Sequence, residues 1–274
     1  MTKETAKKII DFLFKMYDED KEDAFINHHT KGLILDFIGG EPFMNIEVID
    51  YASQYFIDQC ITKKHIWLTN TRFNISSNGI LYFEPRVQAY LNKFKPFISL
   101  TITIDGPKEL HDSCRKDYNN NGSFDRAIAA FDDWNKYNQE MATKVTIAPE
   151  NLIYLNEIMK FFIEHNCTEV NANPIYEREW TINDAQLYYK ELKIIADTLL
   201  EHPIKTNLFN SYYGKPLSPD ENNNWCGGTG AMLAFDPDGN AYPCLRYMKS
   251  SLGDSIAPLI IGNVNGIYES NEAK

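Results

Sequence analysis

The chain has 274 residues, 43% of them hydrophobic and 24% charged, proportions that exclude a disordered, collagenous or coiled-coil protein and suffice for a sizeable core. Against 27 Lys and Arg stand 38 Asp and Glu, a net charge of -11, which disfavours a nucleic-acid surface and leaves small-molecule and protein ligands open. No apolar run reaches the roughly 18 residues of a membrane span, and the polar opening Met1-Thr2-Lys3-Glu4 is not a signal peptide, so a cytoplasmic protein is expected.

In chain order, Ala6, Ile9, Leu13 and Met16 fall at helical spacing behind Thr2, an N-cap residue. Gly32 to Ile38 reads as a buried strand ending at Gly39-Gly40. Ile46, Ile49, Ala52, Phe56 and Cys60 mark a second helix, and Ile66 to Ser77 a second strand closing at Asn78-Gly79. A helix over Glu84 to Phe94, a strand over Phe97 to Ile104 and a polar loop up to Ser123 follow. The pattern then gives a helix from Phe124 to Tyr137, a strand from Lys144 to Ile147 and a helix around Leu155 to Phe162. A strand from Glu169 to Asn173 and a long helix from Asp184 to Glu201 complete it.

Five apolar strands alternating with helices predict a parallel α/β sheet with right-handed crossovers. The chain opens on a helix where such folds open on a strand, so a leading strand is expected to be missing. From Pro203 the texture changes: Ser211 to Pro216 and Ser218 to Asn224 read as a linker. Ala231 to Phe235, Asp236-Pro237-Asp238-Gly239 and Asn240 to Tyr242 read as a hairpin flanked by Cys226 and Cys244. The five cysteines are odd in number and irregularly spaced, which disfavours a disulfide framework. Cys60 and Cys167 fall at core positions. Cys114 lies in a loop without a neighbouring base, and His111 reads as a brace for the loop before Arg115.

Ligands of parallel α/β folds sit at the carboxyl ends of strands. Those ends read Gly39-Gly40-Glu41-Pro42, Ser76-Ser77-Asn78-Gly79 and Thr103-Ile104-Asp105-Gly106-Pro107. A Gly-Gly pair lets a ligand approach the backbone, Glu41 suits an ammonium, and Asn78, Thr103 and Asp105 suit ribose hydroxyls. Arg115 suits a carboxylate in bidentate fashion. Together they suit a zwitterionic, ribose-bearing ligand, although each motif alone is equally the composition of a turn.

In order and spacing, Phe37 to Pro42, Ser77-Asn78-Gly79 and Thr103 to Pro107 with His111, Asp112 and Arg115 resemble the radical S-adenosylmethionine (SAM) enzymes over most of residues 1–201. The resemblance implies that Gly39, Gly40, Glu41 and Pro42 hold the methionine amino group, and that Ser77, Asn78 and Thr103 lie near the ribose, with Asp105 beside them. It puts Arg115 on the methionine carboxylate. Cys226, Gly239 and Cys244, with Asp238 to Cys244 and Ile260 to Val264, resemble the opening of a SPASM domain, whose cysteines bind auxiliary 4Fe-4S clusters. The fold implied is α/β: a partial (β/α)6 radical SAM barrel lacking its first strand over 1–202, then a linker and truncated SPASM-like segment with a β-hairpin over 203–274.

The same resemblance implies reductive cleavage of SAM to a 5′-deoxyadenosyl radical that modifies a peptide or protein substrate, with an electron donor as partner and no role for nucleic acid or membrane. Leu245 stands where formylglycine-forming members carry an aspartate. The family's Cys-x3-Cys-x2-Cys loop, which binds the radical-generating 4Fe-4S cluster, has no counterpart here, and only Cys226 and Cys244 of the auxiliary ligands are present. The reading is therefore of an enzyme fragment, itself inactive. The alternatives are a cluster-less barrel that binds a peptide or nucleotide, and an unrelated α/β enzyme with a structural zinc at Cys226 and Cys244.

Overall fold

A computed structural model describes residues 1–22, 24–136, 142–175, 178–209 and 232–267. The elements in order are α1 (Lys3–Glu19), β1 (Leu33–Phe37), α2 (Ile46–Lys63), β2 (Thr71–Ser77), α3 (Pro85–Lys93) and β3 (Ile98–Thr103). Next come α4 (Lys108–Cys114), α5 (Phe124–Asn135), β4 (Ala142–Ile147), α6 (Leu155–Glu164), β5 (Glu169–Pro174), α7 (Ile182–Glu201) and β6 (Lys205–Thr206). The last are β7 (Ala234–Phe235), β8 (Asn240–Tyr242), α8 (Lys249–Leu252), β9 (Gly262–Asn263) and β10 (Gly266–Ile267). Strands β1 to β6 form one parallel sheet in chain order, and β10-β9-β8-β7 a small antiparallel sheet. The α/β fold with its parallel sheet thus agrees with the sequence pattern, and the sixth strand is too short to register in it.

The described residues fall into two compact units. One gathers Met1–Asp36, Asn45–Phe73 and Pro216–Lys274. Thr2 caps α1 by accepting the Thr5 N–H at 3.0 Å, and Asp20 closes the helix in the left-handed region at φ 46°. The buried face of α1 carries Ala6, Ile10, Leu13, Phe14 and Met16 rather than Ile9. Phe14, Phe56 and Trp67 form an aromatic core, and the Trp67 indole donates to the Thr30 carbonyl at 2.8 Å. Burying rings of this size contributes about 2 to 3 kcal/mol each. Phe12 meets Phe235 of β7 edge-on, their centroids 6.1 Å apart. The expected strand from Ile66 is instead a 3₁₀ turn over Ile66–Leu68 before β2 begins at Thr71.

The other unit holds Phe37–Met44 and Asn74–Lys215. Its strands bury alternate residues: Leu100 and Ile102 on β3, Thr143, Val145 and Ile147 on β4, Val170 and Ala172 on β5. Helix α5 lies against β3, with Ala127 and Ile102 both beside Gly79, and Phe131 on α5 and Ile158 and Phe162 on α6 are themselves buried. Strand β1, expected to be buried, is not: it is the sheet edge, and Ile34 is 71% exposed. Cys60 and Cys167 are buried as expected, and burial pushes their thiols up to about 12 and about 11.

Gly79 sits at φ +77° just past β2, and a Cβ there would meet Ile102 Cγ2 at 3.1 Å and the Ala127 Cα at 3.2 Å. Gly79→Ala therefore combines left-handed strain with overpacking, and we expect it to lower stability by about 2 kcal/mol in urea denaturation.

Candidate active site at the carboxyl ends of the sheet

Glu41, expected as an ammonium ligand, is a latch between two loops. Its Oε1 accepts the Phe43 N–H at 3.1 Å and the Ser77 hydroxyl at 2.9 Å, and its Oε2 accepts the Asn78 N–H at 2.8 Å. Ser77 Oγ in turn accepts the Gly79 N–H at 3.0 Å, and Asn78 Oδ1 the Ile80 N–H at 2.9 Å. Pro42 and Phe43 are buried and anchor the loop after β1 from below. A carboxylate holding three N–H or O–H donors has one lone-pair direction left for anything else.

Gly39 and Gly40 stand just before this latch. Both are exposed, neither has a positive φ, and a Cβ added at either would meet nothing within 4 Å. Among the described residues, no contact requires glycine at either position. What the pair provides is bare backbone open to an approaching molecule.

The second cluster lies past β3. Asp105 is 3% exposed and forms an ion pair with Arg115: Oδ2 accepts from Arg115 Nε, and Oδ1 from Nη2 at 3.4 Å and from the Thr146 N–H at 3.1 Å. A guanidinium has five N–H donors, so three remain beyond the two on Asp105, on a side chain about a third exposed. Asp105, expected at a ribose, is engaged by the arginine and by β4. Thr103, the last residue of β3, is half-buried, and its hydroxyl has no partner among the described residues.

Behind the ion pair is His111, fully buried on α4, a helix that the sequence pattern did not reveal. Its Nδ1 accepts the Asp105 N–H at 3.3 Å, so the neutral ring carries its proton on Nε2 and donates to Ser123 Oγ at 3.0 Å. Ser123 Oγ donates to the Arg115 carbonyl at 3.0 Å, and the Ser123 N–H reaches the same oxygen at 3.2 Å. One imidazole therefore braces the backbone on both sides of the pair, as its place before Arg115 suggested. The signal that located it was only its spacing; its partner Ser123 carried none.

The structure brings Glu41, Ser77 and Asn78 together, and Asp105 with Arg115. No hydrogen bond among the described residues joins the first cluster to the second, which sit at the ends of the neighbouring strands β2 and β3. Cys226 lies outside the described residues. Cys244 follows β8 and is half-buried with a free thiol, and no group of three metal-binding side chains occurs among the described residues. Cys114 is exposed at the end of α4.

No protein-family model matches the chain. It is 23% identical over 261 residues to the radical SAM cyclopropyl synthase TigE of Paramaledivibacter caminithermalis, an alignment covering 92% of this chain and 50% of that protein. It is 26% identical over 231 residues to the cysteine-type anaerobic sulfatase-maturating enzyme of Clostridium perfringens, covering 77% of this chain and 59% of the enzyme. The chain thus spans about half the length of the curated relatives it matches. Among solved structures, anSMEcpe with bound AdoMet superposes with a TM-score of 0.70 at 18% identity, over all of this chain and 73% of that one. Streptococcus suis SuiB bound to S-adenosylmethionine superposes with a TM-score of 0.59 at 14% identity, over 98% of this chain and 57% of that one.

The chain is radical SAM-like in sequence and in fold. In this radical SAM-like scaffold, both clusters fall at the carboxyl edge of the parallel sheet. No helix among the described residues is long and apolar enough to cross a membrane.

Burial holds the His111 imidazole below its ordinary 6.5, with the Arg115 and Lys108 charges acting the same way and Asp105 and Asp112 opposing. His65, also partly buried, is lowered too. Because the folded state disfavours these protons, stability is fully present above about pH 6.5 and is lost as pH falls below it. We expect denaturant midpoints to drop between about pH 7 and about pH 5.5, and His111→Gln to remove part of that slope.

Proposed function

We propose that the chain is the SAM-holding part of a radical SAM enzyme that modifies a peptide or protein substrate. The observation that carries this reading is the Gly39-Gly40 pair, whose open backbone answers no demand of the described residues. Its exposed peptide groups suit the methionine amino group, with Glu41 fixing the loop through Ser77 and Asn78. The remaining donors of Arg115 suit the methionine carboxylate, held in place by Asp105 and His111. Thr103, whose hydroxyl has no partner among the described residues, and Asn78 suit the ribose.

Bound SAM supplies, on one-electron reduction, a radical able to abstract hydrogen from a substrate; the chain's own residues bind, orient and exclude water. The described residues do not fit the reducing cluster: they gather no set of three ligands, and the sequence has no Cys-x3-Cys-x2-Cys. No step through that cluster is assigned to them. In the whole protein we propose residues 1–202 as the partial barrel and 203–274 as the SPASM-like segment, with Cys244 and Cys226 as two ligands of an auxiliary cluster. An electron donor and a peptide substrate complete the scheme, in the cytoplasm and away from nucleic acid and membrane. Support for the peptide comes from neighbours alone: anSMEcpe is known with a bound Cp18Cys peptide, and SuiB with its precursor peptide SuiA.

The test uses S-adenosylhomocysteine in calorimetry against the chain and its Gly39→Val and Gly40→Val variants. Because the space around both glycines is open, the variants should unfold at the same temperature as the parent. Their affinity should fall about tenfold or more, as expected when a side chain blocks a backbone contact. Unchanged affinity would remove the glycines from the site.

A further inference from the structure

Parallel sheets are as a rule covered on both faces, and their strands read as nearly continuous apolar runs. Strands β3 to β5 here are apolar on one face only. Opposite the helix-covered residues of β3, β4 and β5 lies a face whose central rows are polar. Thr103, Lys144 and Asn171 stand side by side in register, and Thr146 and Asn173 form the next row towards the carboxyl edge. None of these five is buried, and Lys144 is exposed. A polar, open face on a parallel sheet is what a hydrophilic ligand requires of the surface it lies on.

Charge on this face is unevenly satisfied. Glu169 pairs with Lys205 at 2.8 Å and accepts from Asn171 Nδ2 at 2.9 Å, and Asp105 is matched by Arg115. The Lys144 side chain has no hydrogen bond and no ion pair with any described residue. In a chain with a net charge of -11, this ammonium stands mid-strand on β4 with the neutral Thr103 and Asn171 as its register partners, and the nearby carboxylates Glu169 and Asp105 are already paired. Such a surface recognises an anion.

We propose that Lys144 is a specificity residue whose ammonium receives the side-chain carboxylate of an Asp or Glu in the peptide substrate. The proposal rests on the radical SAM reading above, which places a peptide beside the cofactor. The cofactor's own carboxylate is accounted for by Arg115. The Asp105–Arg115 pair is tied to Thr146, and Lys144 lies two residues further back along β4, about 7 Å deeper on the sheet. The group that reaches Lys144 therefore belongs to a second molecule, and Thr103, its register partner, stands beside it.

The test is an NMR titration of the 15N-labelled full chain with the capped tripeptides acetyl-Gly-Glu-Gly-amide and acetyl-Gly-Gln-Gly-amide. The Glu peptide should shift the Thr103, Lys144 and Asn171 amides saturably, and the Gln peptide should bind about tenfold more weakly, the difference a charge-assisted hydrogen bond makes. Lys144→Met should abolish the preference and Lys144→Arg should keep it. Equal binding of the two peptides, or a preference that survives Lys144→Met, overturns the proposal. So does competition between S-adenosylhomocysteine and the Glu peptide for Lys144, which would give the lysine to the cofactor. Failure of the underlying reading shows separately, as S-adenosylhomocysteine that moves neither the Gly39 nor the Gly40 amide.

Discussion

Because six strands run in chain order in one parallel sheet, every loop that follows a strand emerges at the same edge. Residues 36 positions apart in sequence, Glu41 and Ser77, can then share a hydrogen bond of 2.9 Å. Asp105 reaches the Thr146 amide across 41 positions for the same reason. The chemistry at the edge is inherited from this topology. Once the strands are registered, the loops have only short distances to close, and two carboxylates close them. Glu41 binds the loop after β1 to the one after β2, and Asp105 binds the loop after β3 to β4.

Each carboxylate is spent on donors of the protein itself, and this shapes how the edge can meet a ligand. A latch such as Glu41 presents its neighbours, the open Gly39 and Gly40 peptides, rather than its own charge. Arg115 differs, because two of its five donors suffice for Asp105 and the rest stay available. The buried His111 fixes that pair from behind by holding the Asp105 amide and, through Ser123, the Arg115 carbonyl. A neutral ring is needed for both bonds, and burial keeps it neutral. An arginine oriented in this way loses little freedom on meeting a carboxylate, which is the physical meaning of preorganisation.

Much of this was legible in the sequence where periodicity is long. The apolar stripe of α2, through Ile46, Ile49, Ala52, Phe56 and Cys60, is buried as its spacing requires. Short elements escaped: β6 has two residues, and α4 spans only seven, too few for a stripe. Strand β1 looked buried because Leu33, Leu35 and Phe37 are apolar, yet an edge position leaves Ile34 in solvent. The strand-end motifs were legible as residue types, but their pairing was not. Glu41 closes onto Ser77, 36 positions on, and Arg115 onto Asp105, ten positions back, and neither pairing shows in residue type alone. The alternation of Lys144 and Thr146 with Val145 and Ile147 was written in β4, although its meaning appears only when the register sets Lys144 beside Thr103 and Asn171.

The central claim is that the two clusters at the ends of β2 and β3 serve a single molecule. The most direct measurement is a crystal structure of the chain soaked with S-adenosylhomocysteine. The account predicts one ligand whose amino group touches the Gly39-Gly40 backbone while its carboxylate meets Arg115 and its ribose lies by Thr103. A ligand bound elsewhere, or one that reaches only one of the two clusters, would contradict it.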